Sequence, residues 1–221
     1  MRAFDWNFTW MILPDLLRAF LVTVEATLVG MSLALVLGLA WALLRRSKSA
    51  VLSGMAAAAV EFIRSTPLLV QIYFLFYVGP GFGISASPFL TGVFALGIHY
   101  SAYTSEVYRA GIEAVPRAQW EAALSLNMSR FHTWRAIILP QAIPPVLPAL
   151  GNYLVAMFKD TPLLAAITVL ELLQTAKLIG AETFRYLEPL TLVGLLFLAV
   201  SLLSSRLIRI LETRFGALSF R

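Results

Sequence analysis

The chain has 221 residues, 59% of them hydrophobic and 13% charged, and a mean hydropathy of +0.81. A soluble domain carries about 25% charged residues, so too little polar surface remains here to cover a water-facing exterior, and the bilayer is the fitting solvent. The absence of cysteine excludes disulfide and thiolate–metal frameworks, and the net charge of +5 follows a membrane-orientation pattern rather than a nucleic-acid footprint.

The first segment, MRAFDWNFTWMILPDLLRAF, places acidic and aromatic residues ahead of its apolar run. No small-residue cleavage site follows a short apolar core, so the segment is expected to be retained. Trp6, Phe8 and Trp10 suit a membrane interface, where aromatic rings sit at headgroup level. A spanning helix needs about 20 apolar residues. Ala26 to Leu44 carries no charge and predicts a first span over roughly 18–44. A second is predicted over about 51–78 and a third over about 88–107, separated by the Gly- and Pro-rich turn GPGFGISAS. A fourth begins near Ile137 and a fifth covers about 187–208. The expected fold is an all-α integral membrane protein with about five transmembrane helices, forming one domain over 1–221.

Lys and Arg near span ends mark the cytoplasmic side. Arg45, Arg46 and Lys48 follow span one; Arg109, Arg117, Arg130 and Arg135 lie between spans three and four; Arg206, Arg209, Arg214 and Arg221 follow span five. The other side offers Arg2, Arg18, Lys177 and Arg185. Eleven cations against four put the N-terminus outside and the C-terminus inside, as an odd number of spans requires.

Ionisable groups at membrane depth are costly and call for a function or a partner. Glu61 and Arg64 in span two stand three apart and can pair on one helix face, just before the helix-weakening Ser65-Thr66-Pro67. A structural ion pair at a kink and a lining of a solute path are both open. Glu106, near the end of span three, is expected against Arg109. Span four carries Pro140, Pro144, Pro145 and Pro148, then Lys159-Asp160-Thr161-Pro162 after an uncharged run. Either the span ends at Phe158 or it breaks there and continues through Leu173. The break is expected, because Thr161 to Leu170 is again uncharged and ill suited to an extracellular segment, and a broken helix at membrane depth lines a cavity or is buried in protein. Lys159 and Asp160 offer both signs of charge to a zwitterionic solute, against a bracing role for the pair. His99 and His132 are isolated and lack metal-ligand company.

The connection between spans three and four, about 108–136, is cytoplasmic and strongly amphipathic. Pro116 suits the first turn of a helix. Arg117 and Glu121 share one face of that helix; Trp120 and Leu124 share another. Asn127 ends it in the manner of a left-handed cap. Ser129 is then placed to cap a second helix whose Phe131, Trp134 and Ile138 share a face. By periodicity alone, these are interfacial helices lying on lipid.

The wording of the loop points further. Glu121-Ala122-Ala123, with Ile137, Leu139 and Pro140 in register, resembles the cytoplasmic loop of bacterial ABC importer permeases, E-A-A-x-x-x-G followed by I-x-L-P. Asn127 stands at the glycine position. The blocks FIRSTPLLVQIYFLFY, YTSEVYRAGIEAV, LPQAIPPVLPALGNY and FKDTPLLAAITVLEL resemble the polar amino acid branch of that family, the histidine, glutamine and arginine type, over nearly the whole chain. The resemblance implies a multi-pass inner-membrane permease subunit for a polar amino acid or related compatible solute. It implies three partners: a second permease copy or paralogue, a cytoplasmic ATP-binding subunit, and an extracytoplasmic solute-binding protein. Arg117, Trp120, Glu121, Ala122, Ala123, Leu124 and Asn127 would form the coupling helix, with Glu61, Arg64, Lys159, Asp160 and Thr161 as candidate pathway residues. No cofactor is expected, and with no G-x-x-x-x-G-K-[ST] in the sequence, ATP hydrolysis is assigned to another subunit. The competing reading, a self-sufficient secondary transporter or channel, fares worse because five spans are few for inverted repeats and no block recurs.

Overall fold

The computed structural model describes residues 4–216; Arg2 and Arg221, counted above for orientation, lie outside them. Helix α1 (Trp6–Arg45) starts a dozen residues before the predicted span. Asp5 sets that start: its backbone is extended, and its carboxylate accepts the amides of Asn7 at 2.9 Å and Phe8 at 3.2 Å. The Phe8 amide first, with Arg185 and the Asn7 amide, outweighs desolvation and holds the Asp5 carboxyl below its ordinary range.

The inward face of α1 is a stripe of small residues, Ala26, Gly30, Ala34, Gly38 and Ala42, spaced by four and buried throughout. It lies against α4 (Pro88–Glu113), the most enclosed helix of the fold. A side chain at Gly38 would run into Thr104 Oγ1 and the Ser101 carbonyl. In lipid, apolar burial between helices gains little, so close backbone approach and interhelical hydrogen bonds hold them together. Thr104 Oγ1 donates to the Ala34 carbonyl at 2.9 Å, and Trp41 Nε1 to Ser101 Oγ at 3.1 Å.

The second predicted span is not straight. Helix α2 (Ala50–Ser65) ends at an extended Thr66, and α3 (Leu68–Tyr73), continued by irregular turns to Phe82, leaves at 104° to it. Pro67 has no N–H to continue the ladder and drives Thr66 out of the helical region. The freed carbonyls are not abandoned. Gln71 Nε2 donates to Ile63 O at 2.8 Å and Thr66 O at 3.1 Å, and Thr66 Oγ1 donates to Phe62 O at 3.0 Å.

Two short helices, α5 (Arg117–Ser125) and α6 (Arg130–Thr133), follow α4. A π turn at Trp134–Ile138 then leads into α7 (Leu139–Asp160), which stays helical through three prolines. That wide turn shifts the helical phase, so Phe131, Trp134 and Ile138 do not share one face as predicted. Ile138 is fully buried whereas Phe131 is 69% exposed. At Asp160 the helix tightens rather than breaks: a 3-10 segment (Thr161–Ile167) carries it on to left-handed Thr168. The bend therefore falls at 168–171, beyond the predicted Lys159–Pro162, and α8 (Leu172–Thr183) leaves at 49°. Buried Glu171 caps α8 by accepting the amides of Leu173 at 3.0 Å and Gln174 at 2.7 Å.

Helix α9 (Leu187–Gly216) closes the fold. Its beginning is stapled to the beginning of α1, since the Arg185 guanidinium reaches Asp5 at 3.2 Å and Glu188 at 2.7 Å. Arg185 also covers the Phe8 ring. Phe8 is therefore buried in the protein rather than at the membrane interface, while Trp6 and Trp10 remain exposed. By length and composition, α1, α9 and the two bent pairs can each cross a bilayer. Helix α4 is also long enough at about 39 Å, but it buries Thr91, His99, Ser101, Thr104 and Ser105 inside the bundle and so is less apolar.

Candidate coupling surface and membrane charge cluster

Helix α5 ends by a defined geometry. Asn127 has φ +50°, the Asn127 amide bonds to Leu124 O at 2.9 Å, and the Met128 amide reaches back to Ala123 O at 3.1 Å. This pair of bonds around a left-handed residue is a Schellman motif, and asparagine is among the few non-glycine residues that accept the conformation. Two residues later, Ser129 Oγ accepts the His132 amide at 3.3 Å and starts α6. The angle between the two short helices is thereby set by backbone bonds on the α5 side and a side-chain cap on the α6 side.

The predicted coupling residues divide by direction. Ala123 is buried, which explains a small side chain there; Arg117, Glu121, Ala122, Leu124 and Asn127 are exposed. Trp120 and Leu124 line one groove, in keeping with the shared face expected of them, but Leu124 is exposed and Trp120 half-buried. Trp120 turns partly inward, meets Trp134 edge-to-face at 5.4 Å, and packs on the cluster of Ile112, Val115, Ile138 and Ala142. A groove of about 340 Å³ runs between the helices, lined by Trp120, Leu124, Met128, Arg130, Thr133 and Trp134. Arg117 and Glu121 form no ion pair with each other among the described residues, so the Glu121 carboxylate is available to a partner.

Behind this surface, Glu106 is the hub of a charge network. It accepts from Arg45 of α1, from Arg109 at 2.9 Å as predicted, and lies 3.6 Å from Arg64 of α2. Glu61 and Arg64 pair at only 3.9 Å, and the Glu61 side chain is 72% exposed. The Arg64 guanidinium also covers the Tyr103 ring at 5.6 Å.

Tyr103 belongs to an aromatic cluster with His99, Tyr100 and Tyr153, with centroids between 5.2 and 6.2 Å apart. His99 Nδ1 shares a hydrogen bond with Gln71 Oε1 at 3.2 Å, so the histidine taken as isolated in the sequence has a partner. Asp160 accepts from the Tyr100 hydroxyl at 2.7 Å. Arg64 and Asp160 thus meet this one cluster through different tyrosines. The other candidates go elsewhere: Lys159 is exposed, and Thr161 is fully buried with its hydroxyl donating to Phe158 O at 2.7 Å. Sequence reasoning missed Arg45, Gln71 and the tyrosines. The stripe His99, Tyr100 and Tyr103, spaced by one and three along α4 so that Tyr103 lies one turn from both others, is the signal that marks them. Among the described residues, no group of three or more His, Cys, Asp or Glu could hold a metal ion.

Residues 34–217 match the family described as the inner membrane component of binding-protein-dependent transport systems. A probable amino-acid ABC transporter permease of Sinorhizobium fredii is 49% identical, over 96% of this chain and 95% of that protein. The nopaline transport system permease of Agrobacterium fabrum is 35% identical, over 90% of this chain and 87% of its own. The crystal structure of an amino acid ABC transporter with histidines aligns at a TM-score of 0.89 and 34% identity, covering 96% of this chain and 100% of that one.

Proposed function

The chain belongs to the family of inner membrane components of binding-protein-dependent transport systems, and on that premise we propose how this ABC importer permease subunit works. It is a multi-pass inner-membrane protein. In our reading it pairs with a second permease subunit to form a pathway for a polar amino acid or a related compatible solute. A cytoplasmic ATP-binding subunit drives it through the α5–α6 loop, and an extracytoplasmic binding protein delivers the solute.

The rigid ending of α5 is the observation that carries this reading. A connection meant only to lie on lipid needs an apolar face and no fixed internal angle. Here the Schellman bonds at Asn127, the cap at Ser129 and the Trp120–Trp134 contact make the loop one stiff piece, with Glu121 and Leu124 outward. A stiff piece transmits a push where a floppy one would absorb it. Closure of an ATP-bound partner can then bias the bundle between inward-open and outward-open states.

The solute class rests on two supports. The relatives named above are described as amino-acid and nopaline permeases. The Arg64 cation and the Asp160 carboxylate at the tyrosine cluster would also suit both charges of a zwitterion.

Co-expression with an ABC ATPase subunit and a solute-binding protein from the same organism tests the assignment. The permease should purify as a complex, and solute uptake into vesicles should require ATP. Uptake by the chain alone, without ATPase, would instead support a secondary transporter or channel.

A further inference from the structure

The proposed coupling loop has a second attachment that its own sequence does not announce. Arg46 terminates α1, its amide bonding to Leu43 O at 3.1 Å, and its side chain turns to the loop. The guanidinium carbon lies 5.8 Å from the centroid of Trp120 and 5.7 Å from that of Trp134. Both are within the roughly 6 Å over which a cation is attracted to an aromatic face. The two indoles meet each other edge-to-face with an interplanar angle of 84°, so one cation serves two rings from different elements. No carboxylate lies within ion-pair distance of Arg46 among the described residues, so the tryptophans are what holds it.

Its neighbour Arg45 turns the other way and binds Glu106 of α4. The end of α1 is therefore gripped twice, once by charge on α4 and once by aromatic contact on the loop. The next helix is drawn in as well. Only residues 46–49 separate α1 from α2, and Ser53 Oγ donates to the Arg45 carbonyl at 2.8 Å.

We propose that Arg46 is a positioning residue that makes the α1–α2 corner move as one body with the coupling helix. This rests on the functional reading above and adds to it a route of transmission. Without the clamp, a push on α5 reaches α2 only by way of α4, through Glu106 and its contacts with Arg45 and Arg64. With it, the same push reaches the α1–α2 corner directly, and so α2, whose far end carries Arg64 over Tyr103. The planar, weakly hydrated guanidinium is the group that stacks on indoles; a lysine ammonium, compact and strongly hydrated, would keep the charge but lose the fit.

The cysteine-free sequence allows a direct test. Spin labels are placed at Lys48→Cys and Gln119→Cys, both exposed positions, in the assembled permease–ATPase complex. The label-to-label distance is measured without nucleotide and with ATP plus orthovanadate. With Arg46 present, the two distance distributions should superimpose, while R46A and R46K should each show a new distance in the vanadate-trapped state. Size-exclusion chromatography checks that the variants still assemble. A nucleotide-dependent distance with Arg46 in place, or none in either variant, overturns the clamp. Failure of the ATPase to bind the unmodified permease would instead overturn the functional reading itself.

Discussion

The Tyr100 hydroxyl donates to the Asp160 carboxylate at 2.7 Å, bonding the middle of α4 to the last residue of α7. Asp160 stands where α7 gives way to the 3-10 segment, so the bond pins that junction to the most enclosed helix of the fold. A carboxylate so placed is either a brace or a brace that also faces solute, and the two roles separate by experiment.

A double-mutant cycle measures the brace. Hydrogen bonds to charged groups contribute about 1.5–3 kcal/mol. Tyr100→Phe and Asp160→Ala should each lower the unfolding midpoint in detergent, and their coupling energy should be of that order. Strictly additive losses would mean the contact carries no weight.

Thiol accessibility separates the neighbours of Asp160. Lys159 is exposed while Thr161 is fully buried. Lys159→Cys should react with a small aqueous thiol reagent at a rate that depends on nucleotide state. Thr161→Cys should stay protected. Protection of both in every state would remove Lys159 from the solute path.

Glu121 is exposed, and no cation of the described chain pairs with it. A charge-assisted bond to an ATPase subunit would contribute about 1.5–3 kcal/mol, or roughly tenfold or more in affinity. Glu121→Lys should therefore weaken association with the ATPase by at least that factor while membrane insertion is unchanged. Native affinity in the variant would place the contact elsewhere on the loop.

Thr168 holds a left-handed conformation, φ +64°, at the turn before α8, and its hydroxyl makes no hydrogen bond among the described residues. That conformation costs an ordinary residue roughly 1–2 kcal/mol, and a β-branched one fits it poorly. Glycine relieves the strain but loses more backbone freedom, about 0.5–1 kcal/mol. Thr168→Gly should still raise stability, by up to about 1 kcal/mol. A lower unfolding midpoint would show that the threonine side chain stabilises the turn by contacts that outweigh its strain.

Local chemistry was legible in the sequence. Asn127 and Ser129 act within a few residues of themselves, Glu106 and Arg109 are one helical turn apart, and Pro67 and Pro162 restrict the backbone beside them. What the sequence hid depends on distant partners or on phase. Pro67 marks a break but not its 104° angle, which is fixed where Gln71 takes up the carbonyls of Ile63 and Thr66 across the turn and α3 packs on α4. The π turn at Trp134–Ile138 adds a residue to one coil, and any face predicted at regular spacing across it comes out wrong. Arg46 counted only toward membrane orientation, since its tryptophans lie far along the chain.

Asn127 is where the loop departs from the family glycine, and where its rigidity can be tested directly. The residue has φ +50°, and the Asn127 and Met128 amides both bond back into α5. Glycine adopts this conformation freely, so Asn127→Gly should keep both bonds, the interhelical angle and transport. Valine must either accept roughly 1–2 kcal/mol or more of strain or leave the left-handed region. Leaving it breaks the bonds to Leu124 and Ala123 and lets α6 swing relative to α5. Because Trp120 and Trp134 sit on either side of that joint, the swing should also change indole emission from the loop. Asn127→Val should thus lose ATPase association or coupling and shift tryptophan fluorescence, while Asn127→Gly does neither. Equal transport and identical emission for asparagine, glycine and valine would mean that the joint is not held by its left-handed residue.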